Sequence, residues 1–233
     1  PTEKCVEIYQ RETGRTNYLF VTNGFDEELF FSKENVERKN RPPVVGFMGS
    51  FPFRRGGKEV VTAVHLLKER YPDISGIVIG DNGEADKVRD YARSLGILDR
   101  IDIPGERPYS EMPQYARRMT VGVSLWEDMK YAENYRASNQ KIRQYLACGV
   151  PVLSICDSFI EENALGARLK SYSPEDLITA VEQCIELSRD PKTAERCAQF
   201  ARKHFSNRML TERRLQFWQR ILDEQATRNL SEN

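Results

Sequence analysis

Short apolar runs alternate along this chain with longer stretches in which apolar residues recur every three to four positions. The runs are bounded by glycine, proline or other turn residues, a pattern that predicts buried β-strands. The predicted strands span residues 18–22, 43–49, 74–80, 100–103, 121–125 and 151–155. Because their apolar residues are mostly consecutive, we expect both faces of these strands to be covered.

The stretches between the strands predict amphipathic helices. In the helix 58–70, Val61, Val64 and Leu67 share one face, and Pro72 follows its end. The other predicted helices span residues 85–95, 109–119, 139–148, 174–188, 191–204 and 206–226, and no strand is predicted after residue 172. The alternation predicts the α/β class: a Rossmann-like, doubly wound parallel sheet with helices on both faces and a helical C-terminal tail.

Length and composition define the expected organisation. The 233 residues suit one domain with extensions. We expect a lead-in at residues 1–17 that links to a missing N-terminal domain, a ligand-binding domain at residues 18–205, and a C-terminal helix and tail at residues 206–233. The chain begins at Pro1 and not at an initiator Met, which suggests a fragment or a trimmed product.

Charge and cysteine usage exclude several classes of protein. The 35 Lys and Arg residues balance the 35 Asp and Glu residues, so nucleic acid is not an expected partner. Five cysteines without a CxxC pair, and only two histidines, predict reduced thiols in the cytoplasm without a metal site. No apolar run reaches the roughly 20 residues that span a bilayer, so we expect no transmembrane segment.

A cluster of cations follows the second predicted strand. In the segment GSFPFRRGGK, Arg54, Arg55 and Lys58 gather at the start of a helix, where the helix dipole disfavours positive charge. Pro52 and Glu59 exclude a Walker loop. Because ligands of doubly wound sheets bind at the carboxyl ends of the strands, the cations predict a phosphate site there. The loop alone leaves a solvated basic surface as the alternative.

A second cation lies in the first turn of another predicted helix. Lys141 follows Asn139 at the start of the helix 139–148, on the same predicted edge of the sheet. Two such helix starts predict a clamp for a diphosphate. Gln144 and Tyr145 lie three and four residues after Lys141 and share its helix face, although core packing is the alternative for Tyr145.

The order of several segments resembles a known family. VTNGFDEELF, VVGFMGSFPFRRGGKEV, IVIGDNGEADKV, LGILDRIDIPGERPYSEMPQYARRMTVGVSLWED and KIRQYLACGVPVLS follow one another as in the C-terminal domain of retaining GT-B glycosyltransferases of the group 1 family. The resemblance covers residues 18–187. It implies one half of a GT-B fold that binds a UDP- or GDP-linked sugar and, with its N-terminal domain, transfers a hexose-type sugar with retention.

The same resemblance implies how the rest of the reaction is organised. It implies an acceptor glycan, lipid or protein held by the missing N-terminal domain, and neither a metal nor any other cofactor. The isolated chain is then expected to bind the donor without transferring the sugar. The full-length enzyme is expected in the cytoplasm, with peripheral attachment to a membrane as an alternative.

The resemblance also assigns site residues, all numbered in this sequence. Arg55 and Lys141 are the expected catalytic cations on the diphosphate, and Arg54 supplies the charge that the family places at Ser50. The further expected donor-binding residues are Gly49 in the phosphate loop, Asp81 and Asn82 in the turn beside the nucleotide, Gly105 and Arg107 beside the base, and Tyr145.

The glutamate pair of the family is where this sequence departs from it. The second glutamate, which holds the ribose, is replaced by Gln144, and Arg136 occupies the place of the first. Glu127 is the counterpart of the first glutamate if residues 128–137 are an insertion. A glutamine still accepts and donates hydrogen bonds, but without the strength that a charge adds.

Three other functions remain open at this stage. A nucleotide-binding pseudo-enzyme or regulatory module is compatible with the loss of both glutamates. A sugar-nucleotide epimerase on the same fold would need acid and base residues, for which two histidines and no paired carboxylates offer little material. A plain interaction domain with the same sheet is the third alternative.

Overall fold

The chain folds around a parallel sheet in a computed structural model, which describes residues 3–30, 41–126, 139–155 and 157–231. The six strands of this sheet follow the order β3-β2-β1-β4-β5-β6, and each hydrogen-bonded pair is parallel. They are β1 (Val44–Met48), β2 (Ser75–Ile79), β3 (Ile101–Gly105), β4 (Val121–Ser124), β5 (Val152–Ser154) and β6 (Gly166–Arg168). The α/β prediction is confirmed.

Helices cover the two faces of the sheet. Within the described residues they are α1 (Glu3–Thr13), α2 (Glu27–Phe30), α3 (Lys58–Leu67), α4 (Ala85–Ser94), α5 (Met112–Arg118), α6 (Gln140–Ala147), α7 (Phe159–Glu162), α8 (Pro174–Arg189), α9 (Pro191–Phe205) and α10 (Asn207–Ser231). The predicted helices agree with these bounds to within a few residues, except that 109–119 begins with the 3₁₀ turn Tyr109–Glu111 and α10 runs five residues beyond its predicted end.

Alternate residues of the strands fill two separate cores. Phe47 of β1 packs in one core with Val60 of α3 and Val181 of α8. The next residue, Met48, packs in the other core with Leu146 of α6 and Ala116 of α5. Both faces are therefore buried, as the consecutive apolar residues of the strands predict.

Two local predictions need correction. Residues 18–22 form no strand; Tyr18 to Val21 lie instead along an apolar groove with α1 and α10. Their apolar side chains pack on helices and not in the sheet, a difference that the pattern of apolar residues does not reveal. β6, at residues 166–168, was not predicted because three residues are too short for a pattern. The described part of the expected lead-in, residues 3–17, contains α1.

The order of the strands fixes where a ligand site is expected. From β1 the chain moves to β2 and β3 on one side, and then crosses to β4 on the other side. In doubly wound sheets such a reversal opens a crevice at the carboxyl ends of the two central strands. The crevice between the ends of β1 and β4 is called the switch-point crevice below.

Candidate functional site

Glycines end the three strands on one side of the switch-point crevice. Gly49, Gly80 and Gly105 all have positive φ angles, of 139°, 119° and 76°. The N–H of Gly49 donates to the carbonyl of Ile79 at 3.0 Å, and that of Gly80 donates to Gly105 at 2.9 Å. A Cβ atom on Gly80 would lie 1.9 Å from the Gly49 carbonyl oxygen. The strand ends therefore approach one another closely because they carry no side chains.

Two arginines in the loop between β1 and α3 share the ring of Phe51 and otherwise have different partners. Arg54 donates from Nε to Glu84 Oε1 at 2.5 Å, and the same carboxylate accepts the backbone N–H groups of Phe53 and Arg54. Glu84 is almost fully buried, so this ion pair fixes the loop. The charge of Arg54 is balanced there, and the structure gives no support to its expected role as a replacement for the charge missing at Ser50.

Arg55 faces two aromatic rings. Its guanidinium lies 4.5 Å from the centre of the Trp126 ring and 5.4 Å from that of Phe51. Trp126 follows β4, and its carbonyl accepts a hydrogen bond from Tyr172. Because Arg55 contacts the Trp126 ring, its side chain reaches from the loop after β1 to the end of β4. No carboxylate among the described residues pairs with Arg55. The rings hold its planar group, and no described residue compensates its charge.

Lys141 reaches the same crevice from the other side. Its Nζ lies 3.9 Å from the centre of the Phe47 ring, and a Cβ atom on Gly49 would lie 3.2 Å from Nζ. Burial, followed by repulsion from Arg55, lowers the pKa of Lys141 to about 7. No described residue accepts a hydrogen bond from its ammonium group. The two helix-start cations that the sequence singles out therefore share one crevice.

The start of α6 adds to this positive potential. Asn139 precedes the helix and makes no side-chain hydrogen bond to its first turn, and Gly57 before α3 has no side chain that could do so. Uncapped N–H groups and the helix dipole both favour an anion. Arg55 and Lys141 lie nearby and repel each other. An anion with two negative charges in the crevice would offset this repulsion.

Gln144 has a partner that the sequence did not reveal. Its Nε2 donates to the hydroxyl of Tyr109 at 3.1 Å. The Tyr109 ring packs edge-on against Phe30, with 5.4 Å between ring centres. Partial burial raises the pKa of Tyr109, the hydrogen bond from Gln144 opposes that shift, and Asp26 adds to it. A pair 35 positions apart in the sequence leaves no local signal that could have found it.

Tyr145 is a core residue, which corrects its predicted place in the donor site. Its side chain is fully buried, and its hydroxyl accepts the N–H of Met48 at 2.7 Å. It also donates to the carbonyl of Val123 at 3.5 Å. Burial raises the pKa of this hydroxyl. Tyr145 therefore joins the ends of β1 and β4 from below, and a ligand cannot reach it.

The remaining predicted site residues lie in loops at the same edge of the sheet. Asp81 accepts the N–H groups of Gly83 at 3.1 Å and Ala85 at 3.2 Å, so its carboxylate caps α4. Asn82 has a positive φ of 51° and is exposed. Ser50 and Arg107 are exposed, and no described contact assigns them a role. Glu127 and Arg136 lie outside the described residues.

Two further searches concern the described part of the chain only. No group of three His, Cys, Asp or Glu side chains there is arranged to hold a metal ion. No helix in that part is both long enough and apolar enough to cross a membrane.

The parallel sheet and the helices around the switch-point crevice have the Rossmann-like fold that forms one half of GT-B proteins. The chain belongs to the glycosyl transferases group 1 family, whose sequence model matches residues 30–204. No curated protein sequence matches the chain.

Solved structures with a similar fold share little sequence with it. HepE from Anabaena, solved with UDP and glucose, is 17% identical with a TM-score of 0.68, over 91% of this chain and 60% of that one. Sucrose-phosphate synthase from Thermosynechococcus elongatus is 16% identical with a TM-score of 0.72, over 96% of this chain and 57% of that one. The chain thus spans about three fifths of these proteins.

A third structure is itself a single domain. The C-terminal domain of LpcC, a group 1 family protein from Francisella tularensis, is 19% identical with a TM-score of 0.54. The match covers 76% of this chain and 94% of that one. At this level of identity the three structures establish the fold and not the ligand.

Proposed function

We propose that the switch-point crevice binds a nucleoside-diphosphate sugar and that the protein is the donor-binding part of a glycosyltransferase. One observation carries the proposal: Arg55 and Lys141 converge on the crevice from opposite sides, and no described carboxylate balances either charge. A diphosphate supplies the missing negative charges. The family match and the UDP-bound structures of HepE support this choice of anion.

The two cations also suit the chemistry of transfer. When the bond between sugar and diphosphate breaks, negative charge grows on the leaving diphosphate. Fixed cations and helix N-termini stabilise that charge without reorganising, and loss of one such contact typically lowers kcat by about a hundredfold or more. Arg55 and Lys141 are the residues that we assign to this role. We propose a hexose-type sugar, retention of configuration, and chemistry without a metal.

The acceptor site belongs to a part of the enzyme outside these residues. The described residues contain one parallel sheet, and the chain spans about three fifths of HepE. We therefore expect this chain alone to bind the donor and not to transfer sugar to a glycan, lipid or protein. Sugar transfer by this chain alone would refute that expectation.

A thermal-shift panel tests the donor site. UDP, GDP, inorganic diphosphate and UMP are each titrated against the chain, because a ligand stabilises a protein by RT ln(1 + [L]/Kd). At a hundred times Kd this amounts to about 2.7 kcal/mol, or a rise in Tm of roughly 5–11 °C for a domain of this size. At least one nucleoside diphosphate should outperform UMP. If none raises Tm at millimolar concentration, the proposal is wrong.

A second candidate is a regulatory module that binds the nucleotide without catalysis. The observation in its favour is Gln144, which replaces the expected glutamate and is already bonded to Tyr109. Hydrolysis or transfer of a donor sugar by the full-length protein excludes this alternative, and binding without any turnover supports it.

A further inference from the structure

The loop between β1 and α3 also lines a second cavity, called the Tyr91 groove below. Its volume is about 410 Å³, within the usual range of small-molecule sites. The polar and charged residues of its lining come from the loop and from α3 and α4, and include Arg54, Lys58, Glu59, Thr62 and Tyr91. The two cations of the switch-point crevice do not line this groove, so the two cavities are distinct.

Positive and negative groups occur in equal number around the Tyr91 groove. Arg54 and Lys58 are its cations, Glu59 contributes a carboxylate, and buried Glu84 pairs with Arg54 at 2.5 Å. In the crevice, by contrast, the two cations pair with no described carboxylate. An anion therefore gains less electrostatic free energy in the groove than in the crevice. The balance of charge in the groove suits a neutral ligand.

Hydrogen-bond donors of the groove are available to such a ligand. The Nε of Arg54 binds Glu84, whereas its two Nη groups and the ammonium of Lys58 donate to no residue that the structure describes. Both side chains are exposed, and Lys58 Nζ lies 6.0 Å from the centre of the Tyr91 ring. A ligand beside that ring can therefore accept hydrogen bonds from them.

Tyr91 supplies an acceptor in the same groove. The hydroxyl of Thr62 donates its single proton to the carbonyl of Lys58 at 2.9 Å. In the contact of 3.1 Å between Thr62 Oγ1 and the Tyr91 hydroxyl, the donor is therefore Tyr91. The lone pairs of the Tyr91 oxygen are left to accept hydrogen bonds from a ligand.

Aromatic rings form the apolar part of the groove. The ring of Phe53 packs edge-on against that of Tyr91, with 6.0 Å between ring centres, and Tyr172 lines the same cavity. All three side chains are partly exposed, so a ligand can pack against them. A saccharide matches this combination, because its hydroxyl groups both donate and accept and its C–H groups pack on aromatic rings.

We propose that the Tyr91 groove is a second ligand site, which binds a neutral saccharide separately from the crevice. Arg54 and Lys58 donate to its hydroxyl oxygens, Tyr91 accepts a hydroxyl proton, and the rings of Phe53 and Tyr172 pack on its C–H groups. The site requires no nucleotide, so this proposal does not depend on the proposed function of the crevice.

NMR titration of the ¹⁵N-labelled chain with neutral methyl glycosides tests the groove. The probes are the methyl glycosides of glucose, galactose, mannose and N-acetylglucosamine. We expect at least one of them to shift the backbone amides of Thr62 and Tyr91 saturably, with a millimolar Kd. Tyr91→Phe keeps the ring on Phe53 and should weaken this binding about 2- to 12-fold, the effect of one hydrogen bond.

Two lysine variants extend this test. Lys58→Met removes an exposed ammonium and keeps most of the aliphatic chain, so the fold should tolerate it and the same glycoside should bind about 2- to 12-fold more weakly. Lys87→Met, at an exposed site on α4 outside the groove, is the matched control and should bind as the wild type does.

Several results would overturn the proposal. They are the absence of shifts with all four glycosides at high millimolar concentration, unchanged affinity in both Tyr91→Phe and Lys58→Met, and saturation of the same amides by inorganic phosphate but by no glycoside. Added UDP tests whether the sites are separate. With two sites the apparent Kd of the glycoside reaches a plateau, whereas in one shared site it rises in proportion to UDP, which contradicts the proposal. A chain that binds a glycoside but not UDP refutes only the proposed function of the crevice.

Discussion

Lys141 is a cation that the fold withdraws from water and places near a second cation, Arg55. Both effects favour the neutral amine, and they lower its pKa to about 7. An anion in the crevice raises the pKa of Lys141 again, because the charged amine then has a partner. Binding of a diphosphate should therefore be coupled to uptake of a proton by Lys141.

This coupling predicts how affinity depends on pH. The free protein loses the Lys141 proton as pH rises through about 7, so affinity for UDP should be nearly constant just below that pH and fall above it, by up to about tenfold per unit. Calorimetry in buffers of different ionisation enthalpy should register proton uptake. Lys141→Met should abolish both effects, and Lys192→Met, at an exposed site on α9, should leave them unchanged. If the UDP affinity of Lys141→Met falls with pH as steeply as that of the wild type, Lys141 is not the group that takes up the proton.

The neighbouring arginines offer a matched pair of substitutions. Arg55→Gln removes a charge that no described residue compensates and should weaken UDP binding by about 10- to 100-fold, with little change in stability. Arg54→Gln removes the partner of buried Glu84 and should cost about 1–3 kcal/mol of unfolding free energy, with less than a threefold effect on binding. Chemical denaturation and calorimetry measure the two quantities. The reverse pattern would show that Arg54 is the ligand-binding residue.

Some of these residues could be identified from the sequence and others could not. Cations in the first turn of a predicted helix are a local anomaly, so the sequence could single out Arg55 and Lys141, whose roles stay predictions. The pairing of Arg54 with Glu84 depends on a residue 30 positions away. Tyr145 was assigned wrongly because helical spacing places it beside Lys141 without indicating that its ring passes beneath β4.

At the scale of elements, Tyr145 holds β1 and β4 together at the mouth of the crevice. A Cβ atom on Gly122 of β4 would lie 2.5 Å from its ring, which shows how closely α6 approaches the sheet. Tyr145→Phe leaves the N–H of Met48 without its buried acceptor. We expect a loss of about 1–3 kcal/mol in unfolding free energy, measured by urea denaturation. A ligand contact would instead lower UDP affinity without a change in stability.

The close approach of the strand ends predicts an unequal cost of two glycine substitutions. Gly83→Ala meets only the cost of a positive φ, about 1–2 kcal/mol, because nothing lies within 4 Å of the added methyl group. Gly80→Ala adds a collision with the Gly49 carbonyl. Its cost in unfolding free energy should exceed about 4 kcal/mol, or the loop between β1 and α3 should move. Equal Tm values for the two variants would contradict this account of the crevice.

Strands and helices were predictable to the extent that their patterns are local. Apolar runs revealed β1 to β5, because buried parallel strands contain few polar residues. The run at 18–22 has the same composition but packs on helices, and the three residues of β6 carry no pattern. The alternation of strands and helices predicted a doubly wound parallel sheet, but the strand order that places the crevice was not predicted and is known from the structure.

At the scale of the whole molecule, the crevice opens at the carboxyl ends of the strands. The last helix, α10, lies beside the N-terminal helix α1 along the apolar groove. Leu215, Trp218 and Leu222 of α10 are each more than half exposed. Apolar side chains of this helix therefore face solvent. The proposed donor site lies between β1, β4 and α6 and does not depend on that surface.

The central claim is that a diphosphate lies between Arg55 and Lys141. A crystal structure of the chain with UDP tests it most directly. We predict phosphate oxygens within about 2.7–3.2 Å of the Arg55 guanidinium and of Lys141 Nζ, beside Gly49. UDP bound elsewhere, for example in the groove that Arg54, Lys58 and Tyr91 line, would contradict the account.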